Sequence, residues 1–284
     1  MSFDELIRTN SKPMKIISSG AVKRGAPKSA IKAILFDIYG TLFISRAGDI
    51  SIARQESGDS RSEIADLLAR YNIEQEPSVF IEQFFSVIER TRDELISAGI
   101  DYPEVDIEKI WKMITGFEDI EMVRRFAIEY ELAVNPVYPM PKAEELLSFC
   151  KGKRIPMGIV SNAQFYTLDI FSSLMGGSMQ DLGFSSDLLF FSYVYGYCKP
   201  SLFLFEMATK ALGKKNISVK HALFVGNDMM KDIYPAQKMG FQTALFAGDK
   251  RSLNMREGNE MIRAVSPDMI VTDLSQIMDV LGGQ

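Results

Sequence analysis

The chain has 284 residues, with 37 acidic and 32 basic side chains, one histidine and two cysteines. At 46% hydrophobic and 24% charged it has an ordinary globular composition, long enough for one large domain or two modest ones. His221 alone argues against multi-histidine metal sites and His-based triads. Cys150 and Cys198 are too few for a four-cysteine zinc site or a disulfide framework, and a net charge of −5 argues against a nucleic-acid partner.

Residues 1–30 form an N-terminal arm with six basic against two acidic side chains, interrupted by Pro13, Gly20, Gly25 and Pro27. MSFDELIRTN carries acids where a signal peptide has its apolar region, and no run of twenty apolar residues occurs anywhere. A cytoplasmic location without a membrane partner is therefore expected. GAVKRGAPKS (20–29) fails the phosphate-loop template, because no Lys follows its second Gly and no strand-like run precedes it. The arm is expected to be extended against the domain, or flexible.

Ile31 to Phe36 is a short apolar run ending in Asp37 and reads as a buried strand. About a hundred residues of different character follow. Segments 60–72, 77–99, 106–116 and 118–132 show helical apolar spacing interleaved with charge, which makes residues 46–138 a helical insertion. Their Phe, Ile and Leu stripes read first as core and second as pocket lining. Beyond the insertion, strand-like runs at 155–160, 188–195, 221–226, 241–248 and 268–274 alternate with helix-like runs at 141–151, 201–212 and 231–240. That alternation predicts an α/β domain over 31–45 plus 139–284, with a Rossmann-like, mostly parallel sheet flanked by helices.

Ligands of such sheets gather beyond the carboxyl ends of the strands. Standing there are Asp37, Tyr39, Gly40 and Thr41; Ser161 and Asn162; Lys199; and Asn227, Asp228 and Asp232. Each has a plainer reading. Asp37 and Gly40 could shape a turn, Ser161–Asn162 could cap a helix beginning near Ala163, Lys199 could be a solvated loop lysine, and the late acids could suit a helix start.

Taken in order, FDIYGTL (36–42), IVSN (159–162), CKP (198–200) and VGNDMMKD (225–232) resemble the four motifs of the haloacid dehalogenase-like hydrolase superfamily. The resemblance covers about residues 31–275 and implies that 46–138 is a helical cap. It implies Asp37 as the nucleophile, forming a covalent aspartyl intermediate. It also implies Ser161 and Lys199 as catalytic groups, with Gly40, Thr41 and Asn162 helping to bind a small anionic substrate. By the same resemblance Mg²⁺ would be held by Asp37, the Tyr39 carbonyl, Asp228 and Asp232, with Asn227 as an alternative to Asp228.

Two departures pull apart. The family's phosphatases carry a second Asp two residues after the nucleophile, as general acid and base; here that position is Tyr39, a form similar to the dehalogenases proper. The acids Asp228 and Asp232 favour metal-dependent phosphate hydrolysis instead. On those two acids the phosphatase is preferred, with 2-haloacid dehalogenation as the alternative and a catalytically impaired binding protein third. A phosphatase of this form would act on substrates with good leaving groups, or recruit an acid from the cap, where the sequence selects none. Oligomeric state carries no signal.

Overall fold

The structure is a computed structural model that describes residues 1–45 and 60–283. Its centre is a seven-stranded sheet in the order β1-β9-β8-β7-β2-β5-β6, comprising β1 (Arg24–Gly25), β2 (Ala33–Phe36), β5 (Met157–Ser161), β6 (Phe184–Phe191), β7 (Ala222–Gly226), β8 (Gln242–Phe246) and β9 (Met269–Val271). Every pairing is parallel except the edge pair β1–β9. Strands β2, β5, β7, β8 and β9 are buried throughout, as expected where helices cover both faces.

Side chains alternate between the faces with the period of the strand. Ile34 and Phe36 join Leu146 and Leu147 of α6 (Ala143–Gly152), Phe171 of α7 (Thr167–Met175) and Ile277 of α11 (Ser275–Gly282) on one side. Ala33 and Leu35 pack on the other side with Leu204, Phe205 and Ala208 of α9 (Phe203–Lys214) and Ala236 of α10 (Tyr234–Lys238). No helix among the described residues is long and apolar enough to cross a membrane.

The helical insertion leaves through β3 (Phe43–Ser45) and returns through β4 (Val137–Pro139), an antiparallel pair with Ser45 opposite Val137. Its described helices are α2 (Arg61–Arg70), α3 (Pro77–Ser97), α4 (Ile107–Thr115) and α5 (Ile120–Val134), close to the expected bounds; residues 46–59 of the expected insertion lie outside the described residues. An aromatic core holds them, with Phe84 stacked on Trp111 at 4.2 Å between ring centroids.

Three local expectations change. The arm contains a helix, α1 (Phe3–Asn10), whose Ser2 and Glu5 form a reciprocal capping box. Leu6 and Ile7 of α1 are buried in the aromatic core of the insertion, which also takes Tyr166 and Ile170 from the α/β domain. The strand expected over 188–195 runs from Phe184 to Phe191 and then turns into the helical stretch α8 (Ser192–Tyr195), so the aromatics Tyr193 and Tyr195 are not strand residues. The helix expected over 231–240 begins earlier, as a π-helical turn Met229–Ile233 in which the Tyr234 N–H donates to the Met229 carbonyl.

Candidate active site

Strand β2 lies between β5 and β7, so the residues leaving those three strands meet at one edge. Asp37 Oδ1 accepts from Ser161 Oγ and from Lys199 Nζ, both at 2.8 Å. The same ammonium donates to Asp232 Oδ1 at 2.5 Å, so one lysine bridges two carboxylates. Asp232 Oδ2 accepts the main-chain N–H groups of Asn227 and Asp228, each at 3.0 Å. Gly226 makes room for this arrangement, since a Cβ there would stand 2.4 Å from Asp232 Cγ.

Lys199 is 3% and Asp232 1% exposed. Burial works against the lysine's charge, but Asp232 and Asp37 outweigh it and hold the ammonium well above its ordinary range. Burial presses the Asp232 carboxyl upward while Lys199 opposes that shift. Asn162 fixes the backbone of Lys199 from both sides: its Oδ1 accepts the Lys199 N–H at 2.7 Å and its Nδ2 donates to the Lys199 carbonyl at 3.1 Å. Ser161 and Asn162 are thus occupied with Asp37 and Lys199 rather than with a helix start, and α7 begins only at Thr167.

The turn after Asp37 is self-contained. The N–H groups of Gly40 and Thr41 donate to the carbonyls of Phe43 and Ile38, which leaves neither free for a substrate oxygen, contrary to expectation. Gly40 sits at φ +85°, where a Cβ would lie 2.6 Å from Asn227 Nδ2. Thr41 Oγ1 donates to Asn227 Oδ1, and Asn227 Nδ2 donates to the Ser252 carbonyl. The Tyr39 hydroxyl pairs with Thr167 Oγ1 at 2.9 Å, and burial pushes its pKa far above the ordinary phenol value, with Glu131 adding to the shift.

The acids expected to hold magnesium have other partners. Asp228 Oδ1 accepts the N–H groups of Met230 and Lys231, and Oδ2 accepts Arg256 Nε at 3.0 Å and Nη2 at 2.6 Å. With two donors on each oxygen, this carboxylate is committed to the π-helical turn and to Arg256. Among the described residues no group of three or more Asp, Glu, His or Cys side chains is placed to hold a metal. As placed, Asp228 has neither oxygen free for the ion, and the Asn227 amide is engaged on both sides.

A cavity of about 390 Å³ separates this edge from the helical insertion and is lined by Asp37, Tyr39, Phe84, Trp111, Tyr130 and Tyr166 among others. Two acids from the insertion also line it. Glu131, on α5, accepts from Asn135 Nδ2 and Tyr166 Oη, and burial raises its pKa. Glu104, in the loop before α4, reaches into the α/β domain: Oε1 accepts from Gln164 Nε2 and Oε2 from Ser192 Oγ and Cys198 Sγ. The main chain follows, with the Cys198 N–H donating to the Tyr102 carbonyl at 2.7 Å and the Glu104 N–H to the Gly196 carbonyl at 3.0 Å. Arg256, Ser252, Glu104 and Glu131 carry no motif, whereas S-x-x-E at Ser2–Glu5 is the capping-box signal of α1.

A family model described as haloacid dehalogenase-like hydrolase matches residues 31–240. No curated protein matches the chain in sequence. Among solved structures, a HAD phosphatase from Thermococcus onnurineus is 19% identical with a TM-score of 0.55, and a 2-haloacid dehalogenase from Pseudomonas syringae pv. Tomato DC3000 is 21% identical with the same score. The HAD-hydrolase YfnB from Bacillus subtilis, bound to magnesium, is 16% identical with a TM-score of 0.51. Each alignment covers 89% of this chain and 99% of the other. At these identities the likeness is one of fold.

Proposed function

Since the chain belongs to the haloacid dehalogenase-like hydrolase family and is a hydrolase of that kind, we propose that Asp37 is its nucleophile and that the leaving group departs as a stable anion without being protonated. Tyr39 carries this reading. At the position where a general acid would stand, its hydroxyl is buried, paired with Thr167 and held far from ionisation. This reading ranks the two chemistries in the opposite order from the sequence, because one of the two acids behind the phosphatase, Asp228, is paired with Arg256.

In the proposed reaction a carboxylate oxygen of Asp37 attacks the carbon that bears a halogen. The new C–O bond forms as the carbon–halogen bond breaks, and halide leaves with the electron pair. Water then attacks the Asp37 ester carbonyl, giving the alcohol, a proton and the free carboxylate. Lys199 and Ser161 orient Asp37, and Lys199 balances the charge of Asp37 and Asp232. The cap (46–138) closes on a core of 31–45 plus 139–284, with 1–30 as an arm across both. Magnesium-dependent phosphate-ester hydrolysis is the second reading, favoured by one observation: Asp232 stays beside Asp37 at the sheet edge.

The deciding experiment measures halide release from 2-haloacids with and without chelator, and phosphate release from an aryl phosphate with and without Mg²⁺, using Asp37→Asn as control. Chelator-insensitive halide release that Asp37→Asn abolishes is expected. Metal-dependent phosphate release without halide release would establish the second reading.

A further inference from the structure

Arg92 is the residue the reaction above leaves unused. It projects from α3 into the wall of the active-site cavity, and its Nε is buried without a hydrogen-bond partner. A buried guanidinium N–H left unpaired costs stability, so this N–H calls for an acceptor from water or a ligand in the cavity. The two acids that share the cavity do not meet this need. Glu104 is filled by Val105 N–H, Gln164, Ser192 and Cys198. Glu131 accepts from Asn135 and Tyr166, and burial favours its neutral form. Much of the remaining cavity wall is aromatic and aliphatic, including Phe84, Ile88 and Trp111.

We infer that Arg92 is the carboxylate-binding end of this cavity, and that the substrate is a small acid whose apolar or aromatic body lies against the cap. A guanidinium fork matches the planar carboxylate with two parallel N–H···O bonds, which a neutral amide cannot reproduce. The inference takes the substrate to react at Asp37 and so rests on the reading above, but its test needs no turnover.

Phenylacetate, hydrocinnamate and cinnamate are titrated against their amides, read by the fluorescence of Trp111, the single tryptophan, and by the thermal midpoint. At least one acid is expected to bind about ten-fold or more tightly than its amide. Arg92→Gln erases the preference, and Arg92→Lys, which keeps the charge but not the fork, retains part of it. Asp37→Asn keeps the preference while losing turnover. If every amide binds as well as its acid, or if Arg92→Gln still prefers acids, the inference is wrong. Should Arg92→Gln not fold, an unchanged preference in Arg92→Lys overturns the bidentate contact. Preference for acids in a protein inactive towards every substrate would remove the Asp37 reading and leave this one standing.

Discussion

Glu104 of the helical cap accepts a hydrogen bond from Ser192 of the α/β core at 2.5 Å, across the seam that closes the active site. Cys198 joins the same carboxylate, and Lys199 follows it directly in the chain. Cap docking and the placement of the bridging lysine are therefore one event. Glu104→Ala removes the acceptor shared by Ser192, Gln164 and Cys198, leaving them the Ala163, Val105 and Pro103 carbonyls, and should lower stability by about 1–3 kcal/mol in urea titrations. Turnover should fall by up to about 100-fold through misplacement of Lys199, with a smaller change in KM.

Lys199 neutralises two buried carboxylates. Lys199→Met leaves Asp37 and Asp232 facing each other without a counter-charge, at a cost of about 3–5 kcal/mol. Adding Asp232→Asn should recover part of that loss while activity stays absent. A single variant as stable as the parent in denaturant titration would contradict the bridging role.

Tyr39→Phe removes the hydroxyl that pairs with Thr167 and should cost about 1 kcal/mol. Turnover should stay within about two-fold, because the phenol proton takes no part. A steady-state rate reduced a hundred-fold would make the phenol a proton donor.

Burial raises the pKa of Glu131 above its ordinary value. A carboxyl raised on folding binds more protons in the native than in the unfolded state, so its contribution falls as pH rises from the ordinary carboxylate range through the native pKa. Glu131→Gln keeps the neutral shape and lacks this dependence. Its thermal midpoint relative to the parent should be more favourable at pH 8 than at pH 5. A difference that does not vary with pH would place the ionised form in the native protein.

The arm helix α1 buries Ile7 among cap side chains and contacts α5 and α7. Ile7→Ala should cost about 2–5 kcal/mol, much more than alanine at the exposed Ile16, read as paired shifts in denaturant midpoint.

Asp37 and Ser161 were legible because short apolar strands end on them, and the alternation of elements predicted the parallel sheet. The roles of the acids near 228 were not. Spacing placed Asp228 and Asp232 together, but Arg256 lies 28 residues beyond Asp228 and is brought to it only by the folded chain. Glu104 and Glu131 were two among many acids in the cap, and helical periodicity gives a face without naming what that face meets. Tyr193 and Tyr195 have strand propensity, yet Gly196 at φ +76° ends a helical turn there. The arm was read by its prolines and basic residues, which hid a capped two-turn helix at its start.

Ser45 and Val137 stand opposite each other in a two-strand stalk. The described helices of the insertion lie between these two strands in the chain. A two-residue hairpin turn could join the strands, so a chain shortened there would keep the sheet edge bearing Asp37, Ser161 and Asp232 while discarding the wall that bears Arg92 and Trp111. The cavity wall and Asp37 thus stand on separate lengths of chain joined through Glu104, so exchanging one for a relative's would have to keep that contact to Ser192 and Cys198.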